Sequence, residues 1–457
     1  MKREIDLLNG PIMPTLAKLA GPIMATGFVQ MAYNLTDMFW LGKLSSGAVT
    51  AAGLAGMFMW LASGLALMVR MGTQVKVGQL LGAGEYGPAR QHAAAGFQLD
   101  IVLALAFTVL ALGAAPALIG FFNLSSPETV VQGIDYLHIT CGLCIFSFIN
   151  MLFTGILNAM GNSRTPFRIS SIGLIINIVL DPLMIFGVGP VPAMGVVGAA
   201  WATVIAQLVV CILYVYSCQD TDFFRKLPLL RRQPGQTYNS ILRIGAPSGL
   251  GSMLFSVIAM VVSRQLSVFG DGAIAAQKVG VQIESISWMT ADGFGSAANA
   301  FVAQNYGARR YERVRQGMRS ALVITVVWGL FCVGLLTIFA ERIFTAFISD
   351  PALTAIGASY LRILGYSEML NCVEITCAGI FNGLGRTLPP SITEIVLTAI
   401  RIPLVSILSA TPLGLDGAWW SCSISCILKG AVLFIWLVLA LPRMLKDPTD
   451  GRDDAAA

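Results

Sequence analysis

The sequence predicts an all-α polytopic membrane protein with twelve transmembrane helices in two pseudo-symmetric six-helix lobes. Three observations predict this class: a hydrophobic composition, long apolar runs over the whole length, and an internal repeat. Of the 457 residues, 56% are hydrophobic and 12% are charged, whereas an average soluble protein has roughly 25% charged residues. The apolar runs reach about 20 residues, the length that a helix needs to cross a hydrocarbon core of ~30 Å.

Apolar segments recur along the chain and are separated by short polar breaks. We predict twelve spans, at approximately residues 14–41, 47–75, 92–119, 130–156, 165–188, 194–217, 239–267, 273–302, 316–340, 353–381, 390–409 and 415–441. Basic residues concentrate in alternate loops, and the opposite loops offer mainly Lys43 and Arg342. The positive-inside rule therefore predicts a multi-pass protein of the cytoplasmic (inner) membrane, with both termini and the central loop in the cytoplasm. The N-terminus has no short apolar core with a small-residue cleavage site, so we expect no removed signal peptide.

The chain contains two similar halves. LAKLAGP at residues 16–22 resembles ILRIGAP at residues 241–247, and GAVTAA at 47–52 matches GAIAAQ at 272–277 with the same offset of 225 residues. We therefore predict an N-lobe with a cation site at 1–217, a cytoplasmic linker at 218–238, a C-lobe at 239–441 and a cytoplasmic tail at 442–457. Both halves begin in the cytoplasm, so the repeats are parallel, and transporters of this kind usually bind their cargo between the halves.

Two acids, Asp37 and Asp181, lie inside predicted spans of the first half. A carboxylate at membrane depth is costly, so it indicates an ion path, a substrate path or a proton relay. The repeat pairs these acids with Val262 and Ile402, so the symmetric scaffold does not require them. Two alternatives stay open. Asp37 could cap a helix end or lie near the outer interface, and Asp181, which precedes Pro182, could cap or kink its helix.

Other polar residues of the first half fall at a similar depth. Asn177 precedes Asp181 by four residues and so lies on the same helix face. Gln30 and Tyr33 lie on the face of Asp37, while Tyr136 and Thr203 occupy the outer parts of the fourth and sixth spans. Two carboxylates close together in a site of low dielectric constant need a proton or a cation between them. Carboxylates, an amide carbonyl and hydroxyls are hard oxygen ligands, which suit Na⁺ as well as H⁺.

The second half carries acids of its own. Glu284 lies in the eighth span at a depth comparable to the first-half site, and it could either attract cationic cargo or be a packed structural acid. Glu374 in the tenth span is a further candidate, although it lies deeper. For Arg401 and Glu394, seven residues apart, we expect a structural network in which any bridge is indirect.

Several function classes are not supported by the sequence. The sequence has no H-E-x-x-H motif and no glycine-rich phosphate loop. The only histidines, His92 and His138, lie in unrelated spans. We therefore predict that the protein is not an enzyme and needs no cofactor. The excess positive charge, +5 in total, lies in loops. We therefore interpret it as a signal of membrane topology and not of a nucleic-acid partner. The nine cysteines lie mostly in apolar runs, and we expect them to pack as small buried hydrophobic residues.

With the repeat, several stretches resemble the multidrug and toxic compound extrusion (MATE) family of efflux transporters. They are YNLTDMFWLGKLSSGAVTAAGL, NAMGNSRTP, GVVGAAWATVIAQ, VGVQIESISWMTADGFGSAANAFVAQNYGA, IFNGLGRTLPPSITEIVLTAIRIPL and GLDGAWW. The resemblance covers essentially the whole chain. It implies the two-lobed fold of the multidrug/oligosaccharidyl-lipid/polysaccharide flippase superfamily. It also implies a monomer in the bilayer that exports small organic, often cationic and amphipathic, compounds in exchange for H⁺ or Na⁺.

The resemblance also implies roles for particular residues. Asp37, Asn177 and Asp181 match the coupling residues of prokaryotic members with an N-lobe site, and Na⁺ could bind there together with Thr203. The positions expected to line the cavity are Gln30, Tyr33, Asn34, Tyr136 and Thr203. In another branch of the family, a glutamate in the seventh span and an acid in the tenth carry a C-lobe site. Those positions hold Phe255 and Asn371, with Glu374 one turn further, which weakens the case for that site. A lipid-linked precursor or polysaccharide flippase of the same superfamily stays the alternative function.

Overall fold

A computed structural model of the protein describes residues 5–122, 126–187, 192–347 and 350–445. Within these residues the regular elements are all helices and none is a strand, which confirms the predicted all-α class. By their internal contacts the residues form two compact units, a first unit up to Ser256 and a second unit from Val257 onward. These units are defined by contacts between residues and not by membrane spans. The predicted boundaries of the lobes and of the linker therefore stay predictions.

The first unit is built from eight helices and most of a ninth. They are α1 (Ile12–Leu44), α2 (Ser46–Gly82), α3 (Tyr86–Gly120), α4 (Pro127–Gly142), α5 (Ile145–Ala159), α6 (Arg164–Phe186), α7 (Gly195–Gln219), α8 (Asp222–Arg225) and α9 (Gly235–Leu266), which continues into the second unit. The second unit adds a short 3₁₀ turn (Ser267–Phe269) and eight helices. They are α10 (Asp271–Gly307), α11 (Tyr311–Ile338), α12 (Ala340–Thr345), α13 (Pro351–Gly365), α14 (Glu368–Gly383), α15 (Leu388–Ala399), α16 (Arg401–Ser409) and α17 (Leu415–Met444).

The same local signals start corresponding helices in the two halves. Ser126 accepts a hydrogen bond from the backbone N–H of Thr129, and Pro127 occupies the first turn of α4. Asp350 accepts from the N–H of Ala352, and Pro351 occupies the first turn of α13. A polar cap followed by proline satisfies a free N–H and sets the φ angle for the first turn. The two halves therefore resemble each other in the residues that start these helices as well as in sequence.

Each of the twelve predicted spans coincides with one helix or one broken helix of the structure. The fourth span breaks between α4 and α5, which are bent by 45°. The tenth breaks between α13 and α14, and the eleventh between α15 and α16. Predicted ends are wrong mainly on the side that the sequence predicts to be cytoplasmic, where α2 continues to Gly82 and α10 to Gly307. Backbone hydrogen bonds continue there beyond the apolar run, and hydropathy does not register them.

Within the described residues, nine helices are long and apolar enough to span a membrane, or ten if the bent α4–α5 pair forms one span. The two predicted spans that fail this test are α10 and the α13–α14 pair. They are also rich in charge: α10 contains Lys278, Glu284 and Asp292, and the pair contains Glu368 and Glu374. Charged residues within spans usually face the protein interior, so hydropathy alone undercounts such helices.

Close helix crossings position the polar residues of the first unit. In this unit α6 packs against both α1 and α7, and α4 packs against α7. A Cβ atom on Gly173 would lie 2.4 Å from Val210, and one on Gly198 would lie 2.2 Å from the backbone oxygen of Met184. At position 198 the neighbouring atom belongs to the backbone, so only glycine allows so close an approach there.

Candidate functional site

Asp37 and Asp181 come together in the first unit, on the packed helices α1 and α6. Asp181 is wholly buried and Asp37 is 9% exposed. The two carboxyl groups are close enough to interact electrostatically. Asp37 lies two turns inside α1, which ends at Leu44, so the helix-cap alternative for this residue is wrong. The packing of α1 on α6 therefore brings Asp37 and Asp181 together, although they lie more than a hundred residues apart in the sequence.

Asp181 also lies inside its helix. α6 continues through Pro182 to Phe186, so Asp181 does not end it. Proline has no N–H, and Pro182 therefore leaves the backbone carbonyl of Ile178 without its helical donor. One turn before Asp181, the side-chain amide of Asn177 donates a hydrogen bond of 3.0 Å from Nδ2 to Asp181 Oδ1. The predicted Asn-x-x-x-Asp pair is thus a direct contact.

Two tyrosines bring further helices to this cluster. Tyr136 on α4 donates from its hydroxyl to Asp37 Oδ2 at 3.3 Å. Tyr33 on α1 lies against Thr203 on α7 and donates to the backbone carbonyl of that residue at 3.4 Å. The helices α1, α4, α6 and α7 therefore converge, as the depth argument predicted. We refer to Tyr33, Asp37, Tyr136, Asn177, Asp181 and Thr203 as the α1–α6 cluster.

Four oxygen atoms of the cluster are buried without a hydrogen-bond partner among the residues that the structure describes. They are Asp37 Oδ1, Asn177 Oδ1, Asp181 Oδ2 and Thr203 Oγ1. In the same part of the chain no Lys, Arg or His forms a salt bridge with either acid. Buried polar atoms are normally satisfied, and exceptions often indicate a water or an ion. Hard oxygen donors of this kind can take a proton or a cation such as Na⁺.

Two predicted residues lie outside the cluster. Gln30 and Asn34 are exposed on α1, and neither has a hydrogen bond to the cluster in the described residues. Their predicted place on a cavity wall stays a prediction.

The sequence analysis missed two amides beside the cluster. Asn150 on α5 donates from Nδ2 to both the backbone oxygen and the side-chain Oε1 of Gln207, at 2.9 Å each. Gln207 follows Thr203 by one turn of α7 and also interacts with Tyr33. The four-residue spacing from Thr203 was a usable signal for Gln207. Nothing in the sequence around Asn150 pointed to this contact.

Asp100 on α3 is a third buried acid of the first unit, and the sequence analysis missed it as well. The side chain is wholly buried, and within the described residues both carboxyl oxygens lack a hydrogen-bond partner. It lies near the thiol of Cys144. The signal was present in the apolar stretch GFQLDIVLAL, where one acid interrupts a run of hydrophobic residues.

The second-unit acids have partners of different kinds. Glu284 on α10 is half-buried and accepts a hydrogen bond of 2.9 Å from the hydroxyl of Tyr360. Glu374 on α14 forms a salt bridge of 3.6 Å with Lys429, and both side chains are buried. Asn371 is buried and lies near Glu368. A paired, buried Glu374 is better suited to a structural role than to binding cargo.

The predicted network around Arg401 is present. Its Nε donates to Ser425 Oγ at 3.0 Å, and its terminal amine lies 3.1 Å from Cys426 Sγ. Glu394 interacts with Arg401 only at longer range, in agreement with the two-turn separation along the helix. The sequence analysis missed Glu368, a wholly buried acid in the first turn of α14.

Comparisons with known proteins agree with this architecture. The sequence model of the MatE family matches residues 22–183 and 247–407, so the two matched segments begin 225 residues apart, like the repeat. The probable multidrug resistance protein NorM of Thermotoga maritima is 29% identical over 89% of this chain and 88% of that protein. A FAD transporter of Shewanella oneidensis is 25% identical over 89% of this chain and 90% of that protein.

Solved structures share the fold. One is a multidrug resistance MATE family transporter of the MOP superfamily in an outward-facing conformation, with a TM-score of 0.88 over 96% of this chain and 98% of that chain. Another is a MOP superfamily transporter from Pyrococcus furiosus whose binding pocket is described as having reverse polarity, with a TM-score of 0.87 over the same shares. Both are 24% identical to this chain, so they support the twelve-helix fold and not a particular cargo.

Proposed function

The chain belongs to the MatE family of membrane transporters and is not an enzyme, and we propose that it exports small organic compounds in exchange for H⁺ or Na⁺. The single observation that carries the ion coupling is the α1–α6 cluster. It combines two buried carboxyl groups with buried oxygens that have no partner in the described residues. Such a site changes its charge when an ion binds, and this change can alter the balance between two conformations.

The ion has two candidates in this proposal. A proton needs one carboxyl group of the pair, and Na⁺ would use oxygens of Asp37, Asn177, Asp181 and Thr203. Neither acid has a basic side chain within salt-bridge distance in the described part of the chain, so an ion is the simplest way to offset their charge. No cofactor is part of the proposed mechanism.

The proline in α1 suggests how ion binding acts on the fold. Pro22 lies inside the helix and cannot donate to the carbonyl of Lys18. Thr26 Oγ1 donates to the carbonyl of Pro22 at 2.8 Å, a type of bond that often accompanies a bend. We propose that neutralisation of the cluster lets α1 bend near Pro22–Gly27 and release cargo outside. Return to the inward state would require the ion to leave to the cytoplasm.

The cargo is proposed from the relatives. The Thermotoga maritima relative is named as a probable multidrug resistance protein, so we propose drug-like, often cationic and amphipathic compounds as cargo. We also propose a monomer in the cytoplasmic membrane with both termini in the cytoplasm. The number of basic residues in alternate loops supports this orientation.

A flippase for a lipid-linked precursor or a polysaccharide is the second candidate. Such cargo carries phosphate and would usually require a strongly cationic cavity. In the described part of the second unit, Lys429 is paired with Glu374, and Arg401 is bound to Ser425. The Lys429–Glu374 pair reduces the positive charge available for a phosphate and favours the first candidate.

Transport in proteoliposomes tests the proposal. Export of a fluorescent organic cation is measured with a pH gradient and a Na⁺ gradient imposed separately, for wild type and Asp181→Asn. Glu128→Gln is the matched control, because Glu128 is an exposed acid in the first turn of α4. We expect one gradient to drive export in the wild type and in the control, and the Asp181→Asn variant to lose it. Wild-type export rates in folded Asp181→Asn and Asp37→Asn would contradict the assignment of the site.

A further inference from the structure

A pocket lined by arginines lies in the second unit, on the side that the sequence predicts to be cytoplasmic. It is formed where α10 ends, α11 begins and α17 ends, and its volume is about 570 Å³. Four arginines and one glutamate line it, so the lining carries a net charge of +3. We refer to these five residues as the basic pocket: Arg309, Arg310, Glu312, Arg313 and Arg315.

Most of the positive charge in the basic pocket is not neutralised by its one acid. Glu312 Oε2 accepts a hydrogen bond of 3.4 Å from Arg315, so these two charges offset each other. The guanidinium group of Arg313 lies 5.3 Å from the centroid of the Phe301 ring, a contact that holds the side chain without removing its charge. In the part of the chain that the structure describes, no carboxylate forms a salt bridge with Arg309.

The matching turn of the first half shows that the fold does not require these arginines. The offset of 225 residues pairs three arginines with three other residues: Arg309 with Gly84, Arg310 with Glu85, and Arg313 with Pro88. The backbone of the turn is nevertheless the same. The N–H of Arg310 donates to the carbonyl of Asn305 at 2.9 Å. The N–H of Glu85 donates to the carbonyl of Leu80 at the same distance.

Arg309 also has a backbone conformation that favours glycine. Its φ angle is +56°, and among the described residues it is the only one other than glycine with a positive φ. Gly84 has a φ of +80° at the matching position. A side chain is strained in this conformation and glycine is not. Strained residues that a fold does not need often serve a function, so the Arg309 side chain is a candidate for ligand binding.

An exposed apolar face of α11 continues from the pocket. Gln316 lines the pocket, and residues 323, 327 and 330 follow it on the same side of the helix. Val323, Val327 and Leu330 are each more than half exposed. The apolar surface of a membrane-spanning helix is stable beside lipid acyl chains. A ligand with an anionic head and apolar tails therefore fits both the pocket and this face, whereas a soluble anion would use the pocket alone.

We propose that the basic pocket binds the phosphate headgroup of an anionic phospholipid in the adjoining leaflet of the membrane. Basic pockets at the cytoplasmic ends of membrane helices suit such headgroups, and arginine can donate two parallel hydrogen bonds to phosphate oxygens. This site goes beyond the proposed export function, because it belongs to the other unit from the α1–α6 cluster and requires neither the coupling ion nor the cargo.

Lipid binding to the delipidated full-length protein in a neutral detergent tests the site without transport. Native mass spectrometry measures the apparent affinities for phosphatidylglycerol, which is anionic, and for phosphatidylcholine, which has no net charge. We expect the wild type to bind phosphatidylglycerol more tightly, and this preference to shrink as the ionic strength rises. Arg309→Gly should weaken phosphatidylglycerol binding about fivefold, the usual contribution of one basic residue. It should not lower the melting temperature, because Gly84 adopts the same conformation.

Two further variants give the comparison. Arg232→Gln is the matched control, because it removes one positive charge from an exposed loop position outside the pocket. It should leave the affinity unchanged. Glu312→Gln removes the one acid of the pocket and should strengthen phosphatidylglycerol binding. Glycerol phosphate, which carries the phosphate without acyl chains, should not compete at the concentrations at which the lipid binds.

Several results would overturn the lipid site. They are equal wild-type affinities for the two lipids, wild-type affinity in folded Arg309→Gly, and an equal loss in Arg232→Gln. Weaker binding by Glu312→Gln would also contradict it. Effective competition by glycerol phosphate would assign the pocket to a soluble anion instead of a lipid.

Discussion

Gly198 on α7 lies so close to Met184 on α6 that a Cβ atom at position 198 would be 2.2 Å from the backbone oxygen of Met184. Met184 follows Asp181 on α6, and Thr203 follows Gly198 on α7. The close crossing therefore sets the separation between two residues of the α1–α6 cluster. Because the neighbouring atom is a backbone oxygen, it cannot give way as a flexible side chain would.

Substitution of this glycine should disturb both stability and coupling. We expect Gly198→Ala to lower the unfolding free energy by about 1–3 kcal/mol, the usual cost of forcing an extra methyl group into a packed site. Thermal unfolding in detergent and ion-driven export measure the two effects. Gly113→Ala is the control, since a Cβ there meets nothing within 4 Å and alanine favours a helix. Equal melting temperatures for the two variants would contradict the packing argument.

Loss of the Tyr136 hydroxyl should strengthen proton binding by Asp37, because this hydroxyl donates to the carboxylate and so stabilises its ionised form. Tyr136→Phe removes the 3.3 Å hydrogen bond to Asp37, and one such bond contributes about 1 kcal/mol. We expect a roughly fivefold change in the ion concentration that gives half-maximal export. Tyr216→Phe is the comparison, because Tyr216 is 69% exposed on α7. A Tyr136→Phe variant that behaves like Tyr216→Phe would show that this bond does not contribute to ion binding.

The Asn177→Ala variant should distinguish the two candidate ions. It removes the donor to Asp181 and also the Oδ1 atom that has no partner in the described residues. A sodium ion needs several oxygen ligands, whereas a proton needs one carboxyl group. We therefore expect Na⁺-driven export to weaken more than H⁺-driven export, measured as initial rates under each gradient alone. A larger loss of H⁺-driven export would contradict the ligand role of Asn177.

Asp100 should be dispensable for stability. Its carboxyl group is buried without a hydrogen-bond partner in the described residues, and an unsatisfied buried polar group costs about 1–3 kcal/mol. We expect Asp100→Leu, which is close in shape, to melt at the same temperature as the wild type or higher. Asp100→Asn keeps a polar group at the position and is the comparison. A marked fall in the melting temperature for Asp100→Leu alone would mean that the carboxyl group contributes a stabilising interaction.

The attachment of the loop around α8 should depend on pH and salt. Asp222 forms salt bridges with Lys226 at 2.8 Å and Arg90 at 2.9 Å. Its hydrogen bond to Lys226, and then the charges of Lys226, Arg90 and Arg225, hold the pKa of the Asp222 carboxyl below its ordinary value. The contribution is therefore complete above the ordinary pKa of about 3.9 and is lost as the pH falls through the lowered pKa.

Limited proteolysis of this loop measures the effect. We expect Asp222→Asn to be cut faster than the wild type at neutral pH and low salt, and the difference to shrink at high salt, because exposed ion pairs are screened. Asp220→Asn removes a neighbouring acid for which no salt bridge is present among the described residues, and it is the control. Identical cleavage rates for all three proteins would show that the salt bridges do not hold the loop.

Part of the site followed directly from helix periodicity. The contact between Asn177 and Asp181 is a consequence of their spacing of four residues. The repeat showed that both acids belong to one half only. Their roles in ion coupling stay predictions, since the contacts place the side chains but do not measure binding.

Other features depended on packing between distant segments. Asn150 meets Gln207 only because α5 lies against α7. Helix spacing placed Gln30 on the face of Asp37, and the family resemblance placed Asn34 on the cavity wall. Their exposure depends on which helices cover α1, and sequence spacing does not contain that information.

The sequence by itself determined the membrane class, the twelve helices, the duplication and the two acids of the first half, because hydropathy, charge and repeat offset are local or additive properties. Tertiary structure alone decided which polar atoms lack partners among the described residues and which acid is paired with Lys429. These outcomes depend on helix crossings such as that of Gly198 and Met184, where sub-ångström differences in separation decide whether a contact forms.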